Sequence, residues 1–381
     1  AATAVFAQEQ MAPVRSQVAE KLAVSLRFRD WSPVTVAGTT VVGGNQTGTG
    51  GLYAVDAATG RLKWSLIPKL ASGTASIATA PAVSGNVVIA AFRSGGVMGV
   101  ALASGKELWR GPRPAQGAGV LAAGGIAYFA GEDGAIYALD AGTGQQRWRT
   151  EFQPTLAPCY SRPLVAGGNV ILTGIGPAAP KDPTKRGGYY LFSFDAATGQ
   201  ERWRYRAEAP YIHNGVCLTQ PVLADGAVYA TGESRVYAVD ANTGGERWAP
   251  VEIRRTQEGR MREVKISAPA AASGSIVVAT PVDLIGIDPA SGRVVWELPG
   301  TFDPERAHLT SAGGVLYFQG SPASRPAARP TGTLFALDLD TRSLLWSFTR
   351  PTEDPNWSFG SIAPANGGLW VDTYRTLLKL E

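Results

Sequence analysis

The 381 residues are 45% hydrophobic and 17% charged, enough apolar material for a large core and too much for a disordered chain. The net charge of +4 is mild and no Lys/Arg run stands out, which excludes an electrostatic nucleic-acid binder. No apolar run is long enough to cross a membrane.

Gly (46 residues) and Pro (26) are abundant and helical apolar periods are scarce, so short strands joined by turns are expected. The chain opens AATAVFAQEQ, small and apolar and then polar. This resembles the tail of a secretory signal and predicts an extracytoplasmic protein, with residues 1–20 as an N-terminal extension. KLAVSLRF (21–28) then reads as a lone strand, and 21–381 as a single domain.

From residue 52 a motif returns. Aligned on its Trp, it occupies Leu52–Trp64, Val97–Trp109, Ile136–Trp148, Leu191–Trp203, Val236–Trp248, Leu284–Trp296 and Leu334–Trp346. Successive Trp residues are 45, 39, 55, 45, 48 and 50 positions apart, a period that suits one four-stranded propeller blade. In the fifth unit QPVLAD, AVYATG, VYAVD and GERW read as the four strands. The Asp and Thr of D-A-N-T-G can bond turn amides, its Gly supplies a left-handed residue, and the Trp offers a flat face to the next blade. The second copy has Ala101 for Asp and Ser104 for Thr, and the seventh has Arg342 for Gly. SIAPANGGLWVDTYRTLLKLE (361–381) has three strands and no fourth, which the 21–28 strand can supply. The expected fold is an all-β, eight-bladed propeller closed by its N-terminal strand, with no need to pair and so a monomer.

Ala-x-Asp-x-x-Thr-Gly-x-x-x-Trp, as in Ala54 to Trp64, resembles the tryptophan-docking motif of pyrroloquinoline-quinone-type eight-bladed propellers. That family includes quinoprotein alcohol dehydrogenases, a lipoprotein of the outer-membrane barrel assembly machinery, and sensor domains without quinone. The dehydrogenase branch implies adjacent cysteines, Glu and Asn ligands to calcium, and an Asp base. This chain has no Cys-Cys pair, since Cys159 and Cys217 lie 58 positions apart, and no C-x-x-C-H. The expected member therefore carries no cofactor, neither quinone nor calcium, and no metal.

Elaboration is expected on one face, here called the top, which carries the loops between second and third strands and the links between blades. Long inserts fall there at 174–188, 249–267, 319–332 and 349–360. The first three hold ten basic residues, Lys181, Lys185, Arg186, Arg254, Arg255, Arg260, Arg262, Lys265, Arg325 and Arg329, against Asp182, Glu252, Glu258 and Glu263. Such a rim fits an acidic protein, a cell-envelope component or an anionic small molecule; a solvated, salt-bridged surface is the alternative.

Cys159, Cys217 and Lys265 each stand four residues before a Pro that leads into an inner strand. Matching positions in adjacent blades bring the thiols within range of a disulfide, which needs roughly 5.5–6 Å between Cα atoms, or place one beside Lys265 or His213. Tyr160, Arg162, Tyr211, His213 and Asn214 belong to the same segments, and His308 and Trp357 to later ones. The expected function is non-catalytic binding through the top face, as a scaffold, assembly or sensor module. The alternative is an enzyme using Tyr160, Arg162, Tyr211, His213 and Cys217, by quinone-dependent oxidation or cofactor-free acid/base chemistry.

Overall fold

The computed structural model describes residues 19–24, 33–45, 51–69, 75–77, 79–115, 117–152, 161–176, 188–207, 218–257, 260–304, 307–322, 333–349, 359–365, 368–373 and 376–381. Within them every regular element is a strand. Among the described residues the strands form eight antiparallel sheets in chain order, one per blade, and one separate two-stranded hairpin. Blade 1 runs Thr35–Ala37, Thr40–Gly44, Leu52–Asp56 and Leu62–Leu66, and blades 2 to 7 repeat the pattern with inner strands at Ala82–Ser84, Leu121–Ala123, Leu164–Ala166, Val222–Ala224, Ala270–Ala272 and Thr310–Ala312. Blade 8 contains Phe359–Ala365, Gly368–Thr373 and Leu377–Leu380, and its outer strand is Glu20–Val24. Leu22 pairs with Lys379 and Val24 with Leu377, so the two ends of the chain close the ring without a covalent bond.

The core lies between blades. Eight buried clusters each join two neighbours, from Val42 with Val88 across blades 1 and 2 around to Val41 with Trp370 across blades 1 and 8. The ring is thus held by eight similar apolar seams, each built from residues that alternate along adjacent strands.

The repeated motif fastens these seams. Asp195 accepts hydrogen bonds from the amides of Ala197 (3.0 Å) and Thr198 (2.7 Å) and from the Thr198 hydroxyl (2.9 Å), and Asp56, Asp140, Asp240 and Asp338 do the same in their turns. Trp64, Trp109, Trp148, Trp203 and Trp248 each donate Nε1–H to the carbonyl just after the motif Asp, or its Ala101 equivalent, in the next blade: Leu102, Ala141, Ala196, Ala241 and Pro289. The Trp face covers the next turn glycine so closely that a Cβ on Gly144 would stand 2.7 Å from the Trp109 ring. The residue opposite each docked Trp is also small, and a Cβ on Gly99 would meet Trp109 at 2.1 Å.

Three departures have local causes. Arg342, at φ 58°, replaces the glycine that Trp296 would cover, and Trp296 instead donates to Ser275 Oγ in its own blade (3.4 Å). Gly60 lies under Leu22 and Val24, because the N-terminal strand has no Trp to offer. In blade 5 the expected outer strand GERW is only an isolated bridge, Val239 with Glu246, and regular pairing moves to Val251–Glu252. Pro250 has no N–H to donate and interrupts the edge there. The insert at 319–332 also begins as a strand, with Ser321–Pro322 pairing to Gly300 and Thr301 of blade 6.

Candidate functional site

Two top-face regions stand apart from the repeats: the lead-in segments to the inner strands, and the hairpin between blades 5 and 6.

Four lead-ins share the pattern Ser/Thr-x-Pro: Thr79-Ala80-Pro81 in blade 2 and, in blades 4, 5 and 6, Ser161-Arg162-Pro163, Thr219-Gln220-Pro221 and Ser267-Ala268-Pro269. In the last three the hydroxyl residue is locked to the second strand of its own blade. Ser161 N donates to Thr173 O (3.1 Å) and Thr173 N to Ser161 Oγ (3.0 Å). Thr219 with Thr231, and Ser267 with Ala279, repeat this exchange. Bonds also pass between blades, from the Thr173 hydroxyl to Leu218 O (3.2 Å) and from the Thr231 hydroxyl to Ser267 O (2.8 Å). A hydrogen-bonded run through blades 4, 5 and 6 therefore fixes the middle residue of those three patterns.

That middle position occurs once per blade. In blades 1 to 7 it lies two residues before the inner strand and holds Pro33, Ala80, Gly119, Arg162, Gln220, Ala268 and His308; in blade 8 the residue at the same register is Ser361, within the longer strand Phe359–Ala365. Most are small, and Arg162, Gln220 and His308 are not. Arg162 lies across Gly119, whose Cβ would meet the Arg162 Cβ at 2.7 Å, and donates Nε–H to Val120 O (3.1 Å). Among the described residues no carboxylate approaches its guanidinium, and burial pulls its pKa below the ordinary value. The pKa of His308 is shifted down by the protein packed near it, while its side chain remains open to solvent.

A second ring lies opposite, on the second strands, where Thr173, Thr231, Gln319 and Asp372 are buried. Gln319 Oε1 is buried with no hydrogen-bond partner. Asp372 receives the amide of Ser361 (2.6 Å) and its hydroxyl, and Gly360 makes room, since a Cβ there would stand 2.1 Å from the carboxylate. Burial raises the Asp372 pKa to about 7, and burial with the nearby Asp372 charge lifts that of Tyr53 in blade 1.

The hairpin pairs Arg254–Gln257 with Arg260–Glu263. Arg255 pins it to blade 6, bonding Asp283 (2.8 Å), Glu297 (3.1 Å) and the Arg254 carbonyl (2.9 Å). Arg254 pairs with Glu252 at 2.9 Å and Glu263 at 3.8 Å. Two of the basic rim residues are thus neutralised, partly by acids outside the insert. Arg260, Arg262 and Lys265 are exposed, and Met261 is 62% exposed.

Of the residues the sequence points to, the structure places Arg162 and His308 at equivalent positions of one ring, and Arg254, Arg255, Arg260 and Arg262 on the hairpin. Lys265 follows the hairpin, on the lead-in to blade 6. Cys159, Tyr160, Tyr211, His213, Asn214, Cys217, Trp357, Lys181, Lys185, Arg186, Arg325 and Arg329 lie outside the described residues. Gln220, Gln319, Ser361 and Asp372 were not anticipated; the Ser/Thr-x-Pro spacing carries a signal for the first alone. No three His, Cys, Asp or Glu side chains among the described residues converge as metal ligands. No helix among them is long and apolar enough to cross a membrane.

Comparison with known proteins agrees with this architecture. The chain is 27% identical over 226 residues to the outer membrane protein assembly factor BamB of Burkholderia pseudomallei, covering 58% of this chain and 55% of that one. It is 28% identical over 166 residues to the serine/threonine-protein kinase AfsK of Streptomyces griseus, covering 42% of this chain and 19% of that one. A 27% match over 253 residues to the quinoprotein alcohol dehydrogenase PedH of Pseudomonas putida covers 62% of this chain and 39% of that one. The matches thus span between about a fifth and just over half of these relatives' lengths. In three dimensions the fold is that of BamB from Moraxella catarrhalis, with a TM-score of 0.66, 14% identity, and 96% and 99% of the two chains covered. A quinohemoprotein alcohol dehydrogenase from Pseudomonas putida superposes with a TM-score of 0.68, 13% identity, and 98% and 78% coverage. The family described as outer membrane protein assembly factor BamB matches residues 11–120, 111–248 and 184–373, almost the whole chain, and the chain belongs to that family of quinone-type repeat propellers.

Proposed function

We propose that this protein is an extracytoplasmic, non-catalytic propeller that docks a protein of the cell envelope through its top face. The observation that carries the reading is the pinned hairpin. Arg255 is held between Asp283 and Glu297, so the hairpin presents Met261 and Arg260 to solvent from a fixed base. A preorganised, exposed apolar residue beside a cation loses little entropy on docking. The relatives named as outer membrane protein assembly factors support an assembly role.

The test is capture of outer-membrane assembly proteins from an envelope extract of the source organism. Met261→Asp should weaken capture at least tenfold, because it places a charge at the centre of the contact. Leu62→Asp, on the outer strand of blade 1 and also exposed, should leave capture unchanged. Equal capture by wild type and Met261→Asp would sink the reading. A catalytic role has one observation in its favour, the titratable Arg162 and His308 at equivalent positions of two lead-ins.

A further inference from the structure

The seam that closes the ring is fastened differently from its neighbours. Blades 1 to 5 each send a Trp Nε1–H to the next blade. The outer strand of blade 8, Glu20–Val24, contains no Trp and covers the blade 1 turn with Leu22 and Val24. A Cβ on Gly60 would stand 2.5 Å from Leu22 and 2.8 Å from Val24. These side chains have no donor, so this fastener is apolar only.

Asp372 lies elsewhere in the same seam. Along Gly368–Thr373, Trp370 and Asp372 alternate with Val371 and so share the face toward blade 1, where Trp370 packs with Val34, Val41 and Tyr53. The carboxylate accepts the Ser361 amide (2.6 Å) and hydroxyl, and the Ser361 oxygen accepts the amide of Val34 in blade 1 (3.4 Å). This relay joins the last blade to the first, between residues 327 positions apart. Two other aspartates are buried among the described residues: Asp283 pairs with Arg255, and Asp338 binds the amides of its own turn. Asp372 does neither.

The titratable groups on the elements around Asp372 are Tyr53 across the seam, Lys379 paired with Glu381 on the adjoining strand, Glu20 and Lys21 on the N-terminal strand, and Asp56 with Lys63 at the outer turn of blade 1. Arg29, Asp30, Tyr374 and Arg375 lie outside the described residues. Tyr53 is pushed up by burial and by the Asp372 charge. Burial likewise raises Asp372 to about 7, against the pull of its Ser361 hydrogen bonds.

We propose that Asp372 makes the closing seam a pH-operated clasp: neutral, it lets blade 8 seat on blade 1, and loss of its proton to solvent loosens blade 8 together with the N-terminal strand. An anion among Val34, Val41 and Trp370 is poorly solvated, and opening the seam lets water reach it. The N-terminal strand follows because Val24 belongs to the same apolar cluster and rests on Gly60. The folded value lies above the ordinary 3.8, so the closed seam is favoured at low pH and that preference is lost as pH rises through 7. Linkage with these two values makes opening about tenfold more frequent at pH 8.5 than at pH 6.

Hydrogen–deuterium exchange of the full chain tests this, read as protection factors so that the intrinsic pH dependence of exchange cancels. Between pH 6 and 8.5 the amides of Glu20–Val24 and Leu377–Leu380 should lose about tenfold in protection, while those of Ile126–Ala130 and Ala135–Asp140 in blade 3 should not change. Asp372→Asn is neutral throughout and should hold its protection within about twofold. The wild-type profile decides even if that variant does not fold: protection of the N-terminal strand should fall as pH rises to about 7 and be level above it. The proposal is overturned if the loss is uniform around the ring, if Glu20–Val24 stays equally protected across the range, or if Asp372→Asn loses protection as wild type does.

Discussion

The outer turns and the inner lead-ins of the same blades treat charge in opposite ways. At the rim, Asp140 and Asp195 each accept three hydrogen bonds within their turn and pair with Arg147 and Arg202, which holds both carboxyls down at about 2. At the inner lead-ins, burial lowers the pKa of Arg162 and His308 with no opposing charge beside them among the described residues, and Asp372 is raised to about 7. Satisfied and repeated groups hold the ring together. Unsatisfied and unrepeated groups cost the fold something, and that cost points to a task other than folding. A charged residue in this protein is thus informative when its partners are missing, and uninformative when they recur every blade.

Breaking a fastener should have the largest effect. Trp148→Ala removes a buried ring and its hydrogen bond to Ala196, and should cost about 3–5 kcal/mol by urea unfolding. A loss under about 1 kcal/mol would mean that the motif does not fasten the seam.

Asp372 should give the next effect, with a sign opposite to that of the rim. Its folded pKa lies above its unfolded value, so its contribution is fully present below about pH 4 and is lost as pH rises through 7. The shift of about three units corresponds to at most ~4 kcal/mol, at 1.36 kcal/mol per unit. Urea midpoints between pH 5 and 8.5 should fall for wild type and stay flatter for Asp372→Asn. The rim carboxylates Asp140 and Asp195 behave in reverse: their contribution is present above about pH 4 and is lost toward pH 2. Parallel pH profiles for Asp372→Asn and wild type would erase the contrast between the two regions.

The smallest effect should come from repairing a degraded copy. Arg342→Gly relieves a side chain at positive φ and reopens the turn that Trp296 would cover, and should stabilise by about 1 kcal/mol in thermal melts. A destabilised variant would show that the Arg342 side chain compensates for its strained backbone.

Blade number, blade order and closure were all legible in the sequence, because seven copies of one motif mark the outer turns and the eighth blade is short by the one strand that leads the chain. The break in the blade 5 outer strand was legible in principle, since Pro250 stands within it. The addition of Ser321–Pro322 to blade 6 was not, because strand pairing across blades leaves no local pattern. The basic rim shows why charge counts mislead. Arg255 is cancelled by Asp283 and Glu297, which lie 28 and 42 positions away and come close only in the folded ring. Arg162 and His308 were singled out by their loops, but the absence of charged partners beside them among the described residues, and the lone Gln319 oxygen, are facts of packing.

A photoreactive residue placed in turn at Met261 and at Leu62 tests the central claim most directly. Both positions are exposed and apolar, one on the pinned top-face hairpin and one on the repeated outer surface. In envelope preparations, position 261 should crosslink to an outer-membrane assembly protein and position 62 should not. Crosslinks from 62 alone, or equal crosslinks from both, would contradict the assignment of partner binding to the top face.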